Sequence, residues 1–182
     1  MTGKVKLLFT VGILICYALT GCTKKDPLIP VKPDVIVPGD SVTVTENKVD
    51  RNELLTLVNG LRSRGCDCGS TKMPPVHALK WSGSLEKAAW LHSKDMKVNN
   101  FFQHNSQNGT TPGTRITAVG YNWYTYGENI AKGNMDEQAV ILGWLSSPEH
   151  CKNMMKADYY EIGIGQEGVY WTMDLGSRVA DK

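Results

Sequence analysis

The stretch SSPEHCKNMM, residues 146 to 155, sets a histidine beside a cysteine, His150 and Cys151, just after a Ser-Pro step. An imidazole next to a thiol suggests four chemistries: a nucleophile with its base, a metal site, a disulfide anchor, or a structural contact only. Adjacent side chains on a helix diverge by about 100 degrees, so a Cys-His catalytic pair is disfavoured. Each residue therefore needs a partner elsewhere in the chain.

The cysteine count narrows the choice for Cys151. Of five cysteines, Cys16 falls inside an apolar N-terminal run and Cys22 at its end, which leaves Cys66, Cys68 and Cys151 for a mature domain. An exported protein permits disulfides. The expected pairing joins Cys151 to Cys68, where the following Gly69 allows close backbone approach, with Cys66 as the alternative partner. A Cys66 to Cys68 link would close a strained small ring, and a three-cysteine metal site lacks a convincing fourth ligand. His92 falls on an apolar helix face and reads as a satisfied core residue. His77 lies in a proline-flanked loop and reads as exposed. Trp123, Tyr124 and Tyr126 either fill the core of a loop-rich domain or line a groove for lipid or glycan.

The elements that must position these groups begin with a leader. Lys4 and Lys6 precede an apolar run from Leu7 to Ala18, too short for a comfortable membrane span, which needs about 20 apolar residues. The run ends in Leu19-Thr20-Gly21-Cys22, which resembles the lipobox of bacterial lipoproteins, so residues 1 to 21 are expected to be a signal peptide and Cys22 the lipidated residue. Acyl chains would hold the protein to a membrane at about 0.8 kcal/mol per buried methylene. The formal charge of +2 comes from Lys4 and Lys6; without them 18 basic side chains balance 18 acidic ones, which gives no argument for nucleic acid. Residues 22 to 48 read as a tether, with prolines at 27, 30, 33 and 38 favouring extended backbone. Val42 to Thr45 are either a short strand or more tether.

The globular part is expected from residue 49 to 178. Asp50 with Glu53 three residues on marks a helix start, and Leu54, Leu57, Val58 and Leu61 recur at helical spacing up to a stop at Gly65. Residues 65 to 81, rich in glycine and proline, read as a loop. A second helix is predicted from near Ser82 or Ser84 through Asn99, carrying Leu85, Ala88, Ala89, His92 and Met96 near one face. Residues 99 to 134 look too irregular for one element, a short helix at TRITAVG apart, and are expected to frame a surface feature. Helix returns at Asn134, with Glu137 at the capping-box spacing, and ends before Pro148. Ile162 and Ile164, a turn at Gln166 to Gly168, and Val169 to Leu175 read as a hairpin. Tyr170 and Trp171 should face opposite sides of it, at most one deeply buried. Helices early and paired strands late point to an α+β layered domain.

Five short motifs stand in order along this part: FFQHNS from Phe101, YGENIAKG from Tyr126, GWLSSPEHCKNMM from Gly143, YEIGIG from Tyr160 and YWTMDLG from Tyr170. Together they resemble the CAP superfamily of cysteine-rich secretory, antigen five and pathogenesis-related proteins (SCP-like domains), in its bacterial lipoprotein form. The resemblance implies a three-layer α-β-α sandwich with a central antiparallel sheet and a large open cleft.

It also implies a cleft site of two histidines and two glutamates that binds divalent metal in some members. The matching positions are His104, Glu128 and His150. The fourth, a glutamate three residues after a tryptophan in many relatives, is here Ser147, the Ser-Pro version that bacterial members often carry. Two imidazoles and a carboxylate can hold a divalent metal such as zinc with one position open to water. The same set can act without metal as an acid-base group, or brace the cleft as an inert polar network. Intervals of 24 and 22 residues form no compact metal motif, so the clustering rests on the resemblance. Ser147, Asn129 and Tyr126 complete the candidate cleft residues.

The expected protein is a lipid-anchored binding or interaction module of the bacterial cell envelope, facing the periplasm or cell exterior. Its partners would be the membrane, through Cys22, and a lipid, glycan or protein ligand, with no nucleic acid. The alternative is a metal-dependent hydrolase of peptide or envelope polymer, using a metal-activated water.

Overall fold

The computed structural model describes residues 42 to 179. The signal segment, Cys22 and the tether up to residue 41, with all four of its prolines, lie outside them. Packing starts ahead of Val49: Val44 is buried, and the Asn47 amide donates to the Glu86 carboxylate and the Ile164 carbonyl, each at 2.8 Å. Val42 to Thr45 form no strand.

Helix α1 (Arg51–Arg64) begins as predicted, the Asp50 carboxylate accepting from the Glu53 amide at 3.0 Å. The reciprocal bond of a capping box comes from elsewhere, because Glu137 accepts the Asp50 N–H. Residues 65 to 81, expected as loop, contain three short strands: β1 (Cys66–Cys68), β2 (Thr71–Met73) and β3 (Lys80–Trp81). Cys66 and Cys68 point inward on either side of exposed Asp67, the alternation that a strand imposes.

Helix α2 (Gly83–Val98) is capped by Ser82, and α3 (Pro112–Ala118) by Thr111. Residues 99 to 134 hold a regular element after all, the ten-residue β4 (Trp123–Lys132). It is an edge strand, partly exposed along much of its length, so its sequence lacks a clean apolar alternation. Helix α4 (Glu137–Leu145) starts two residues later than expected, at the Asp136 cap, whose carboxylate accepts from the Ala139 amide. Pro148 opens a further helix, α5 (Pro148–Met154), where its fixed φ suits the first turn. The hairpin of β5 (Glu161–Glu167) and β6 (Tyr170–Arg178) closes the chain as predicted.

The main sheet runs β3-β5-β6-β4, antiparallel except for the two-residue β3, which is parallel to β5. Helix α2 covers one face. Gly163 and Gly165 let it approach closely: a Cβ there would lie 2.0 Å from the Glu86 nitrogen and 2.2 Å from the Trp90 nitrogen. On the other face Trp171, Met173 and Leu175 join Leu54 and Val58 of α1 and Val140 and Ile141 of α4 in the main core. The chain is thus an α+β three-layer sandwich. With both sheet faces covered, Tyr170 and Trp171 are both buried, which corrects the expectation that only one would be.

Arg62 ties α1 to the far side of the molecule. Its wholly buried guanidinium donates to the carbonyls of His77, Met154, Lys156 and Tyr159 at 2.8 to 3.2 Å. Burial lowers its pKa to about 10, so it stays charged at neutral pH.

Candidate functional site

The edge strand β4 organises the site because successive residues point to opposite faces. Glu128 faces the α2 and α3 side, and Asn129 faces α5. An open cleft of about 440 Å³ straddles this edge, lined by His104, Glu128, Asn129, Glu149, His150, Lys152, Asn153, Lys156 and Tyr159. Both histidines named from the sequence therefore line one cleft with Glu128.

On the upper side, the Nδ1–H of His104 donates to Glu128 Oε1 at 2.7 Å, and Arg115 Nη2 of α3 donates to Glu128 Oε2 at 2.6 Å. The same Arg115 nitrogen reaches the His104 carbonyl at 2.9 Å. The Glu128 side chain is 2 % exposed and that of His104 52 %, so the carboxylate is an enclosed bracket and the imidazole the part that meets solvent. The bond places the proton of a neutral His104 on Nδ1 and leaves Nε2 as acceptor. Behind Glu128, directly across the β4–β6 ladder, lies Asp174, whose carboxyl is fully enclosed. Burial, followed by the charge of Glu128, pushes its pKa well above the usual carboxylate range. His92 is buried as predicted but only half satisfied: its Nε2 bonds the Gln103 carbonyl at 2.9 Å, while its buried Nδ1 has no hydrogen-bond partner among the described residues. Burial lowers its pKa and keeps it neutral.

On the lower side, α5 presents His150, half-buried, with its pKa lowered by burial and then by His104. Asn129 holds this helix. Its Nδ2 donates to the His150 carbonyl at 3.1 Å, and its Oδ1 accepts from the Asn153 amide at 2.9 Å. Tyr159 donates to the Tyr126 carbonyl at 3.0 Å, tying the segment after α5 to β4. Behind α5, Cys151 is joined to Cys68 with Cα atoms 5.4 Å apart, the pairing preferred from the sequence.

Two expected cleft residues lie elsewhere. The Tyr126 ring packs edge-on against Trp123 at 4.7 Å and beside Gly113, because its place on β4 directs it under α3. Ser147 serves as the N-cap position of α5 without a side-chain capping bond and does not line the cleft. His77 is exposed as predicted, its ring stacked on Tyr160.

The arrangement does not fit a three-ligand zinc centre. Both Glu128 oxygens are committed, one to His104 and one to a guanidinium. Among the described residues, the cluster of three or more candidate ligand atoms lying within 4.8 Å of one another is Cys66, Cys68 and Cys151, not His104, Glu128 and His150. Arg115 and Asp174 were missed from the sequence. Their signal was available: a basic residue inside TRITAVG and an acid inside the otherwise apolar YWTMDLG strand.

Residues 55–170 match the model of the cysteine-rich secretory protein family, CAP. The protein YkwD of Bacillus subtilis (strain 168) is 36 % identical over 99 residues, which cover 53 % of this chain and 38 % of that one. The chain therefore spans well under half the length of that relative. An extracellular protein containing a SCP domain from Bacillus anthracis str. Ames superposes with a TM-score of 0.62 at 31 % identity, over 69 % of this chain and 39 % of that one. An outer surface protein from Borrelia burgdorferi does so with a TM-score of 0.53 at 25 % identity, over 57 % and 80 %. No helix among the described residues is long and apolar enough to cross a membrane. With the sandwich, the edge-strand cleft and the family match in agreement, this chain belongs to the CAP family of cysteine-rich secretory proteins.

Proposed function

We propose that this chain is a binding module held on the outer side of a bacterial membrane by acyl chains on Cys22, and that its cleft takes a polar segment of envelope glycan or peptide. The observation that carries the ligand class is the lining. His104, His150, Lys152, Asn153, Lys156 and Tyr159 offer hydrogen-bonding and cationic groups and no aliphatic wall for an acyl chain. Ligand pockets are usually mostly apolar with a few polar groups, so a lining this polar suits a hydroxyl-, amide- or carboxylate-rich ligand. The extracellular and outer-surface relatives support the location, and the Leu19 to Cys22 motif supports the anchor.

In this reading Glu128 and Arg115 orient His104 rather than perform chemistry. The hydrolase alternative needs a metal-activated water, and the commitment of both Glu128 oxygens removes the carboxylate that would help to hold the metal.

The test is titration of a Cys22→Ala chain with soluble cell-wall glycan and peptide fragments, followed by nuclear magnetic resonance. The expected result is shifts at His104, His150 and Tyr159, and affinity weakened about tenfold or more by His150→Ala with Lys152→Ala, as for loss of one charge-assisted hydrogen bond. Binding unchanged in that variant would place the ligand elsewhere. Stoichiometric zinc retained by the parent and lost from a His104→Ala, His150→Ala chain would replace this reading with the metal one. Cys22→Ala should also release the protein from membranes, and undiminished retention would remove the anchor from the proposal.

A further inference from the structure

The three cysteines of the mature domain meet in one buried cluster behind α5, away from the cleft. Cys68 and Cys151 are bonded, and the Cys66 sulfur lies 3.7 Å from that of Cys151. Cys66 and Cys68 reach the same place because they are separated by one residue on β1 and point to the same face. The geometry points to an internal thiol–disulfide exchange, in which Cys151 is held by either cysteine of the Cys66-Asp67-Cys68 strand.

In the step, Cys66 loses its proton and the thiolate attacks Cys151 Sγ. A Cys66–Cys151 bond forms as the Cys68–Cys151 bond breaks. Cys68 leaves as thiolate and takes up the proton. One disulfide and one thiol are present before and after, so no oxidant or reductant is required.

Three features bring the two isomers near balance. The sulfur approach needed is small, about 1.7 Å, from 3.7 Å to the roughly 2.0 Å of a disulfide. The loops closed are nearly equal, with separations of 85 and 83 residues, so loop entropy does not choose between them. The strand that must shift is three residues long, paired among the described residues only to β2 in a two-stranded sheet, and turns at Gly69, φ 64°, against Pro148 at the start of α5. The partner residue Cys151 is adjacent to His150, so exchange changes the covalent tie behind the helix that forms one wall of the cleft. This inference rests on the sulfur geometry and is independent of what the cleft binds.

The test uses the folded full chain, held without reductant at mildly alkaline pH for increasing times, then quenched in acid, unfolded and alkylated. Digestion on the N-terminal side of Asp67 separates Cys66 from Cys68, and mass spectrometry reads which one carries the label. The expected result is label on both, approached at a rate independent of protein concentration and rising roughly tenfold per pH unit below the thiol pKa. In parallel, a Cys68→Ser chain should form the Cys66–Cys151 disulfide under mild oxidation, as Cys66→Ser forms Cys68–Cys151. Label confined to Cys66 at all times, a rate that scales with protein concentration, or two alkylated thiols in Cys68→Ser would each overturn the proposal.

Discussion

Asp174 occupies a place on β6 that a hydrophobic or amide side chain could fill, and its carboxyl is enclosed opposite Glu128. Its folded pKa is raised above the unfolded value of about 3.9. The sign follows from proton uptake by the native state: the penalty is absent below about pH 4, grows as pH rises towards the folded pKa, and is complete above it. Asp174→Asn keeps the shape and a donor facing Glu128 while removing the titration. Its melting temperature at neutral pH should rise by about 2 °C or more, with the gain vanishing near pH 4, as differential scanning calorimetry would read. A lower melting temperature at neutral pH would mean that Asp174 is ionised there and favoured by the nearby charge of Arg115. His92 and His150 act in the opposite direction along the pH scale. Held neutral with lowered pKa, they cost stability as pH falls below about 6.5. The comparison of variant and parent at each pH removes that shared background.

The contact between α2 and β5 depends on two glycines whose missing side chains set the layer spacing. An alanine at Gly163 would overlap the α2 backbone at Glu86, which neither helix nor strand can relieve locally. Gly163→Ala should therefore destabilise by about 4 kcal/mol or more. Gly143, exposed on α4, should do the reverse, since a Cβ placed there would meet no atom within 4 Å. Gly143→Ala is expected to stabilise by roughly 0.5 to 1 kcal/mol, and urea denaturation of both variants checks the pair. Elements of this kind were unequally legible in the sequence. Helices α1 and α2 and the β5–β6 hairpin carry strong periodicity, and they lie close to where it put them. Strand β4 was not legible, because an edge strand that turns Glu128 one way and Asn129 the other has no apolar stripe. The same mixed pattern hid Arg115, whose role appears only when α3 is laid over β4. The histidines of the cleft were found through the family motifs, since 24 and 22 residues of separation carry no geometry of their own.

At the scale of the whole molecule, one covalent link spans 83 residues and joins the β1 strand to α5. In the chain-entropy model such a loop contributes roughly 4 to 5 kcal/mol. Reduction should therefore lower the melting temperature by roughly 10 °C, and an unchanged value would show that α5 is held by packing alone. Packing has its own anchor there in Arg62, whose four carbonyl partners lie 15 to 97 residues away along the chain. That spread has a kinetic meaning. Contacts between distant residues wait for the intervening chain to be ordered, so the carbonyls at and after the end of α5 can gather on the guanidinium only once α1 and the sheet are in place. The wall bearing His150 should then be the last to acquire amide protection in pulse-labelled refolding, after α2 and β5. The protein would complete its central layers first and assemble the mouth of its cleft as a final event.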